Sequence, residues 1–423
     1  MRPRNSQLPV RNRERGASTV EYGVLLALVS LVGAHALGAL GEQISLNFTE
    51  TAIKIQETAL DPDAFVLEIY SDVFTLYPKV GGAILVDWGD DTANETCGQN
   101  FTAGTSITCS YPNTDTYLVS VTGNMTAYGD AAGSSTNHSI TRVVQWGNTG
   151  LYWLENAFDG ASNLVEVPDH LPAGTVNLAA AFRGAFVLND PGIARWDTSK
   201  VASFSYTFSG AENFNVDVGG WDTSSAENMH AMFSNATSFD QDIGSWDVSS
   251  VYTMHGMFLG AVSFNQDIGG WDVGNVETMQ ALFKDAGPYT HSLSAWDVSK
   301  VSNFQGAFRD SGFNGDISGW DPVSAHDMRN MFLRNYAFDQ DISGWDMSSV
   351  ELLSSMFEDA ASLSSDLSAW GTSAATSMDA MFKNATSFSS DLSGWCVSGV
   401  ASAPANFSIG SSILADPAWG SCP

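Results

Sequence analysis

Positive charge is scarce in this 423-residue chain: 17 Lys and Arg stand against 47 Asp and Glu, a formal charge of −30. Such an acidic surface is repelled by phosphate backbones and anionic headgroups, which argues against nucleic acid as a partner and makes divalent cations the more natural small one. Cysteine is rarer still. The four residues Cys97, Cys109, Cys396 and Cys422 fall as two sequence-local pairs with no CxxC, which argues against a zinc or thioredoxin-like site. Recognisable catalytic wording is missing too: there is no GxSxG, no HExxH, no Walker loop and no Cys-His pair at nucleophile spacing. Apolar residues at 44% and aromatics at 11% nevertheless argue for a folded chain.

Much of the chain is one phrase repeated about ten times. Tryptophans at 196, 221, 246, 271, 296, 320, 345, 370 and 395 keep a step of 25 residues, except for one of 24 between Trp296 and Trp320. Phenylalanines at 208, 233, 258, 283, 308, 332, 357, 382 and 407 lose one residue across the same interval. Two rulers that share a deletion define a structural repeat. Within a unit, Met229, Met232, Phe233 and Ala236 stand at i, i+3, i+4 and i+7, which predicts a short helix. The extended phrase that follows, Phe239, Asp242-Ile243 and Trp246, predicts a short strand. Neither buries a core alone, so the units must stack.

Residues 1–16 form a basic leader carrying Arg2, Arg4, Arg11, Arg13 and Arg15. From Val20 to Leu40 the chain is apolar apart from Glu21, Tyr22, Ser30 and His35, long enough for a membrane-spanning helix. A carboxylate at Glu21 costs a few kcal/mol in lipid unless it is paired. The run Arg15-Gly16-Ala17-Ser18-Thr19-Val20-Glu21-Tyr22-Gly23 resembles the Flp/Fap class of type IV pilins over about residues 11–57. That resemblance implies cleavage between Gly16 and Ala17 and makes Glu21 the fifth mature residue, paired with the N-terminal ammonium of a neighbouring subunit. Residues 17–45 would then contact the inner membrane, pilin subunits or both. Ala34-His35-Ala36 keeps an ordinary secretory cleavage open, and uncleaved anchoring is a third route. All three place residues 60–423 outside the cytoplasm.

Residues 61–145 read as a β-sandwich. Val66, Leu67 and Ile69, then Ile84, Leu85 and Val86, then Tyr117, Val119 and Val121 mark strands between turn signals. The phrases Asp87-Trp88-Gly89-Asp90-Asp91-Thr92 and Tyr117-Leu118-Val119-Ser120-Val121 resemble a PKD-like immunoglobulin-type module, with Asp91 where the usual second glycine of the turn stands. Cys97 and Cys109 could clip a hairpin here, a bridge contributing on the order of 2–4 kcal/mol. Asp87, Asp90 and Asp91 are weak calcium candidates, against an alternative in which their carboxylates hydrogen-bond their own turn. No other cofactor is expected.

The phrase Phe264-Asn265-Gln266-Asp267-Ile268-Gly269-Gly270-Trp271-Asp272-Val273 resembles the mycoplasma-lipoprotein-type repeat of BspA-like surface proteins, and the likeness covers about residues 150–423. It lies in the leucine-rich-repeat range, so the expected fold is a pilin-type transmembrane helix (17–60), a PKD-like β-sandwich (61–145), an α/β solenoid (146–395) and a cap (396–423) fastened by Cys396 and Cys422. Two aspartate ladders run along the repeats, one after each Trp (Asp222, Asp247, Asp272) and one before each Ile or Leu (Asp242, Asp267, Asp316). Like charges on adjacent rungs repel unless they cap backbone N–H groups or hold cations. His230 and His255 stand on adjacent rungs but lack a third ligand in register.

The resemblance implies adhesion and binding at a bacterial cell surface, so the first expectation is a non-enzymatic adhesin presented by a Flp/Tad-type type IV pilus system, its extracellular protein or glycan ligand unspecified. A membrane-anchored repeat module without a filament role is the alternative. An extracellular glycan hydrolase is the third, with the irregular rung Gly287-Pro288-Tyr289-Thr290-His291-Ser292 as its candidate site. Positions that the rulers leave free for binding include Tyr252, His255, Gln280 and Arg329. Mass spectrometry of the exported protein should find Ala17 as its first residue; any other terminus contradicts prepilin processing.

Overall fold

The computed structural model describes residues 60–102, 106–129 and 135–423. Residues 62–423 form one compact unit. The leader, the expected transmembrane helix and the processing residues Gly16, Ala17 and Glu21 lie outside the described residues. Among those described, no helix is long and apolar enough to cross a membrane.

The unit begins with five strands, β1 (Phe65–Leu76), β2 (Pro78–Asp87), β3 (Asn100–Thr102), β4 (Ile107–Tyr128) and β5 (Ile140–Gln145). They pair in the order β3-β2-β4-β1-β5, and every pairing is antiparallel. This corrects the expected sandwich: the strands share one hydrogen-bonded sheet. Phe65, Leu67, Ile69, Val119 and Val121 are fully buried in it. The register shifts between Ser71 and Val73, where the Ser71 hydroxyl accepts from the Val73 N–H and donates to the Val73 carbonyl. The only α-helix among the described residues, α1 (Asp91–Cys97), lies between β2 and β3, and its last residue is joined to Cys109 of β4 by a disulfide.

The larger correction concerns the repeats. The α/β solenoid of one helix and one strand per unit is not what forms: residues 146–423 contain no α-helix, only a 3₁₀ turn at Pro191–Arg195, and their strand content is single parallel bridges. One line of bridges runs rung to rung through Trp153, Asn177, Ser203, Asn228, Thr253, Thr278, Asn303, Asp327, Leu352 and Ser377.

The backbone shows why the helix fails. The N–H groups of Met229, Ala231, Phe233 and Asn235 donate one rung onward, to the carbonyls of Thr253, His255, Met257 and Leu259, at 2.6–3.2 Å. Those of Met232, Ser234 and Ala236 between them donate back three residues, to Met229, Ala231 and Phe233. Half of the donors that a helix would use internally are thus spent between rungs. The alternation requires left-handed residues. Ala231 and Asn235 sit at φ 52° and 56°, and pairs four residues apart recur from Asn156 and Gly160 to Asn406 and Gly410. Glycine, asparagine or aspartate fills the second place in most rungs because these tolerate positive φ.

The side chains on this frame meet in register. The nine Trp rulers are 4% exposed or less. From Trp221 to Trp395 each indole N–H reaches back to a carbonyl of the preceding rung, as Trp271 does to Ile243 at 3.1 Å, so the burial leaves no orphaned donor. Phe rings stack from Phe158 to Phe382 with centroids 5.3–6.1 Å apart, and Phe407 closes the row edge-on against Phe382. Burying each such ring contributes roughly 1.5–3 kcal/mol.

Both ends of this core are covered. At the start, Phe65 of β1 stacks on Trp146 at 6.1 Å, Trp146 meets Phe158, and β4 and β5 bridge in parallel to the first rungs through Ala127–Trp153 and Arg142–Glu166. At the finish, Val397 donates to the Ser421 carbonyl, Cys396 is bonded to Cys422, and Trp419 packs edge-on against Phe407 at 4.9 Å.

Two substitutions separate ring from backbone. Trp271→Phe removes one of the two donors on the Ile243 carbonyl, which keeps the Trp246 N–H, and trims the buried ring. It should lower the unfolding free energy by about 1–2 kcal/mol in urea titration. Asn235→Val forces a β-branched residue into left-handed backbone and should cost about 1–2 kcal/mol, whereas Asn235→Gly should be close to neutral; a neutral Val variant would contradict the positive φ.

Candidate binding face

Each rung sends the same positions inward and exposes the ones between them. In the unit around Met229 the inward set is Met229, Met232, Phe233 and Ala236, all fully buried. The residue just before the first left-handed position stays half-exposed, and stacking aligns these residues into a row that reads His230, His255, Gln280, Gln305, Arg329. Three residues after that position a second row includes Arg183, Lys284, Arg309 and Lys383.

The rows are knitted by side-chain contacts. His230 and His255 stack with centroids 4.5 Å apart, and the Tyr206 hydroxyl meets His230 Nε2 at 2.9 Å. Partial burial lowers the pKa of both imidazoles, and the neighbouring His255 lowers that of His230 further, which favours their neutral forms. Farther on, Gln280 donates to Gln305 at 3.1 Å. Six of the nine Lys and Arg of residues 146–423 belong to this face, and each has an acid beside it. Arg183 pairs with Asp159, Lys284 with Asp285, and Arg309 with Asp310. Arg329 pairs with Asp327 at 2.6 Å, Arg334 with Asp310, and Lys383 with Glu358 at 2.7 Å.

Of the free positions read from the sequence, His255, Gln280 and Arg329 are brought into one row. Tyr252 is 45% exposed, with its hydroxyl accepting from Asn228 at 3.2 Å. Sequence reasoning did not single out Lys284, Arg309 or Gln305; their spacing of 25 and 24 residues from row-mates was visible, but nothing marked which residues face out.

The aspartate ladders lie on turns. Asp197, Asp222, Asp247, Asp272, Asp297 and Asp346 each accept the N–H two residues on, at 2.9–3.1 Å. The second ladder, expected on a strand, does the same from Asp217, Asp242, Asp267, Asp316, Asp341, Asp366 and Asp391. Both are aspartate turns that close on their own backbone. The calcium candidates behave alike: Asp87 accepts from the Gly89 N–H and from Asn94, both at 3.0 Å, and Asp90 caps α1 through the Ala93 N–H at 2.9 Å. Asp91 is the first residue of that helix. Among the described residues no three His, Cys, Asp or Glu side chains converge as a metal set. In the irregular rung Tyr289 is fully buried, stacked between Phe264 and Phe313, while His291 Nε2 meets the Asn265 carbonyl at 2.8 Å.

A repeated frame with variable outward rows is the architecture of a repeat protein. The family described as Mycoplasma protein of unknown function, DUF285, matches residues 152–249, 217–320 and 307–419, and the chain belongs to that family. The three tandem matches support the BspA-like character of the repeat and a surface-associated protein. No curated protein matches the chain.

Serine hydroxyls and N–H groups hold the turn carboxylates of Asp197, Asp222, Asp247, Asp297 and Asp341 below the usual aspartate range. A carboxyl with a depressed folded-state pKa stabilises the fold above its unfolded value of about 3.9 and loses that contribution as pH falls through the folded value. Urea midpoints should therefore fall below about pH 4, after a shallower decline below about pH 6.5 that the lowered pKa values of His230 and His255 impose. Changing Ser224, Ser249 and Ser343 together to Ala should shrink that acid loss; an unchanged acid limb would contradict the assignment.

Proposed function

We propose that this is a non-enzymatic, surface-displayed binding and adhesion protein whose repeat array presents the outward rows to an extracellular protein or glycan. The observation that carries this reading is the contrast between rows. Inward positions repeat the same residue types along the array, whereas the row through His230 changes at four of its six steps, reading His, Gln, Gln, Arg, Ser and Asp at positions 255, 280, 305, 329, 354 and 379. A scaffold that fixes its interior and varies one exposed row suits recognition. The turn carboxylates support a non-catalytic reading, since each already accepts a backbone N–H and so has a structural task. The prepilin-like phrase around Gly16, Ala17 and Glu21 supports display through a type IV pilus system, as a pilus-associated adhesin.

Beads coated with the full chain should be retained on a panel of immobilised extracellular-matrix proteins and glycans in excess over albumin-coated beads. Changing His255, Gln280 and Arg329 together to Ala should reduce retention at least fivefold. Retention equal to albumin, or release of reducing ends from a polysaccharide that stops when one aspartate is changed, would contradict the reading.

A further inference from the structure

The binding face is not uniform along its length. At the first left-handed position five of the eleven rungs carry a side chain larger than methyl, as in Tyr206, Asn330 and Ser355, whereas four consecutive rungs carry Ala231, Gly256, Ala281 and Gly306. The face is therefore cut away over these rungs into a shallow groove of about 260 Å³. Its floor is the Gly306 backbone and the Ala281 methyl, and His255 and Leu259 line one end. One wall holds Gln280 and Gln305, and the other holds Lys284 and Arg309.

The floor cannot recruit a peptide strand. Ala281 and Gly306 donate their N–H groups to the carbonyls of Gln305 and Arg329. Their own carbonyls accept from Lys284 and Arg309. With both backbone partners taken, strand addition has nothing to pair with. Recognition falls to the walls, where the apolar and aromatic groups are confined to Leu259 and the His255 imidazole at one end, a patch that suits the C–H face of a sugar ring better than a large peptide side chain. The walls offer amides, whose oxygens accept and whose nitrogens donate, and cations already balanced by Asp285 and Asp310. Gln280 and Gln305 are fixed by their mutual bond and by Asn303, which lowers the ordering cost of binding. A chain of formal charge −30 also repels polyanions at long range.

The geometry points to a binding site for a neutral, hydroxyl-rich saccharide in the groove floored by Ala281 and Gly306, with Gln280, Gln305, Lys284 and Arg309 hydrogen-bonding its hydroxyls. The groove lies just under the ~300–1,000 Å³ of ordinary ligand pockets, a size suited to one or two sugar rings. This assignment rests on the binding function proposed above and names its ligand class.

The test uses the full chain with soluble dextran, mannan and galactan as neutral probes, and polygalacturonate and poly-glutamate as anionic controls, in affinity electrophoresis and calorimetry. Binding to at least one neutral polysaccharide is expected. Gly306→Asn fills the groove without straining the backbone, because Asn330 occupies the same place at φ 60° and a Cβ on Gly306 approaches nothing nearer than Arg309 Cβ at 3.7 Å. This variant should keep its melting temperature and lose at least tenfold in affinity. The pair Gln280→Ala with Gln305→Ala should lose as much. Failure of all neutral probes, binding confined to polygalacturonate or poly-glutamate, or affinity unchanged in both variants would overturn the assignment. Retention of chain-coated beads on matrix protein alongside such a failure would remove only the saccharide, leaving the binding function in place; loss of both would remove both.

Discussion

Everything in the repeat array depends on where alternate backbone N–H groups go. A buried donor must find an acceptor, and in each rung alternate donors find theirs one rung away. That choice forces two left-handed residues per rung, prevents a helix, and puts equivalent side chains of successive rungs within stacking distance. The Trp and Phe ladders follow from it. The indole N–H bonds to the preceding rung then tie the side-chain ladder back to the backbone ladder, so ring packing and chain pairing reinforce each other.

Much of this was legible in the sequence, and the part that was not has a physical cause. The two aromatic rulers state the period and its single deletion, and burial of both follows from their regularity. The deletion is absorbed between Phe308 and Phe313, in a turn beyond the bridge line. The helix expected at Met229, Met232, Phe233 and Ala236 fails because a run of turns repeating every four residues directs the same positions inward as a helix of 3.6 residues per turn. Apolar spacing cannot tell them apart over two turns. The discriminating signal stood four residues beyond Ala180, Tyr206, Ala231 and Gly256, where Gly184, Gly210, Asn235 and Gly260 recur. A helix has no use for such residues every 25 positions. The sandwich expected for residues 61–145 failed differently: alternation identifies strands, but not whether they share one sheet.

The candidate face was the least legible part. The acidic ladders drew attention because their charges repeat, yet repetition marks a structural task, and their carboxylates close turns. The groove was hidden because its signature is small residues at Ala281 and Gly306, the second a glycine that also suits left-handed backbone. Only the stacked register sets the two side by side and places Gln280 and Gln305 along one rim. The charge distribution was hidden for a related reason. A net charge of −30 describes the chain, but six of the nine cations of the array share one face with their counter-ions. That face is nearly balanced within an acidic molecule, which fits it for contact with an uncharged partner better than the total charge suggests.

The central claim is that Ala231 bonds across rungs rather than along a helix. Through-hydrogen-bond scalar coupling in the selectively labelled full chain tests it directly. The account predicts a coupling from the Ala231 amide nitrogen to the His255 carbonyl carbon; a coupling to the Glu227 carbonyl instead, the helical partner, would contradict it.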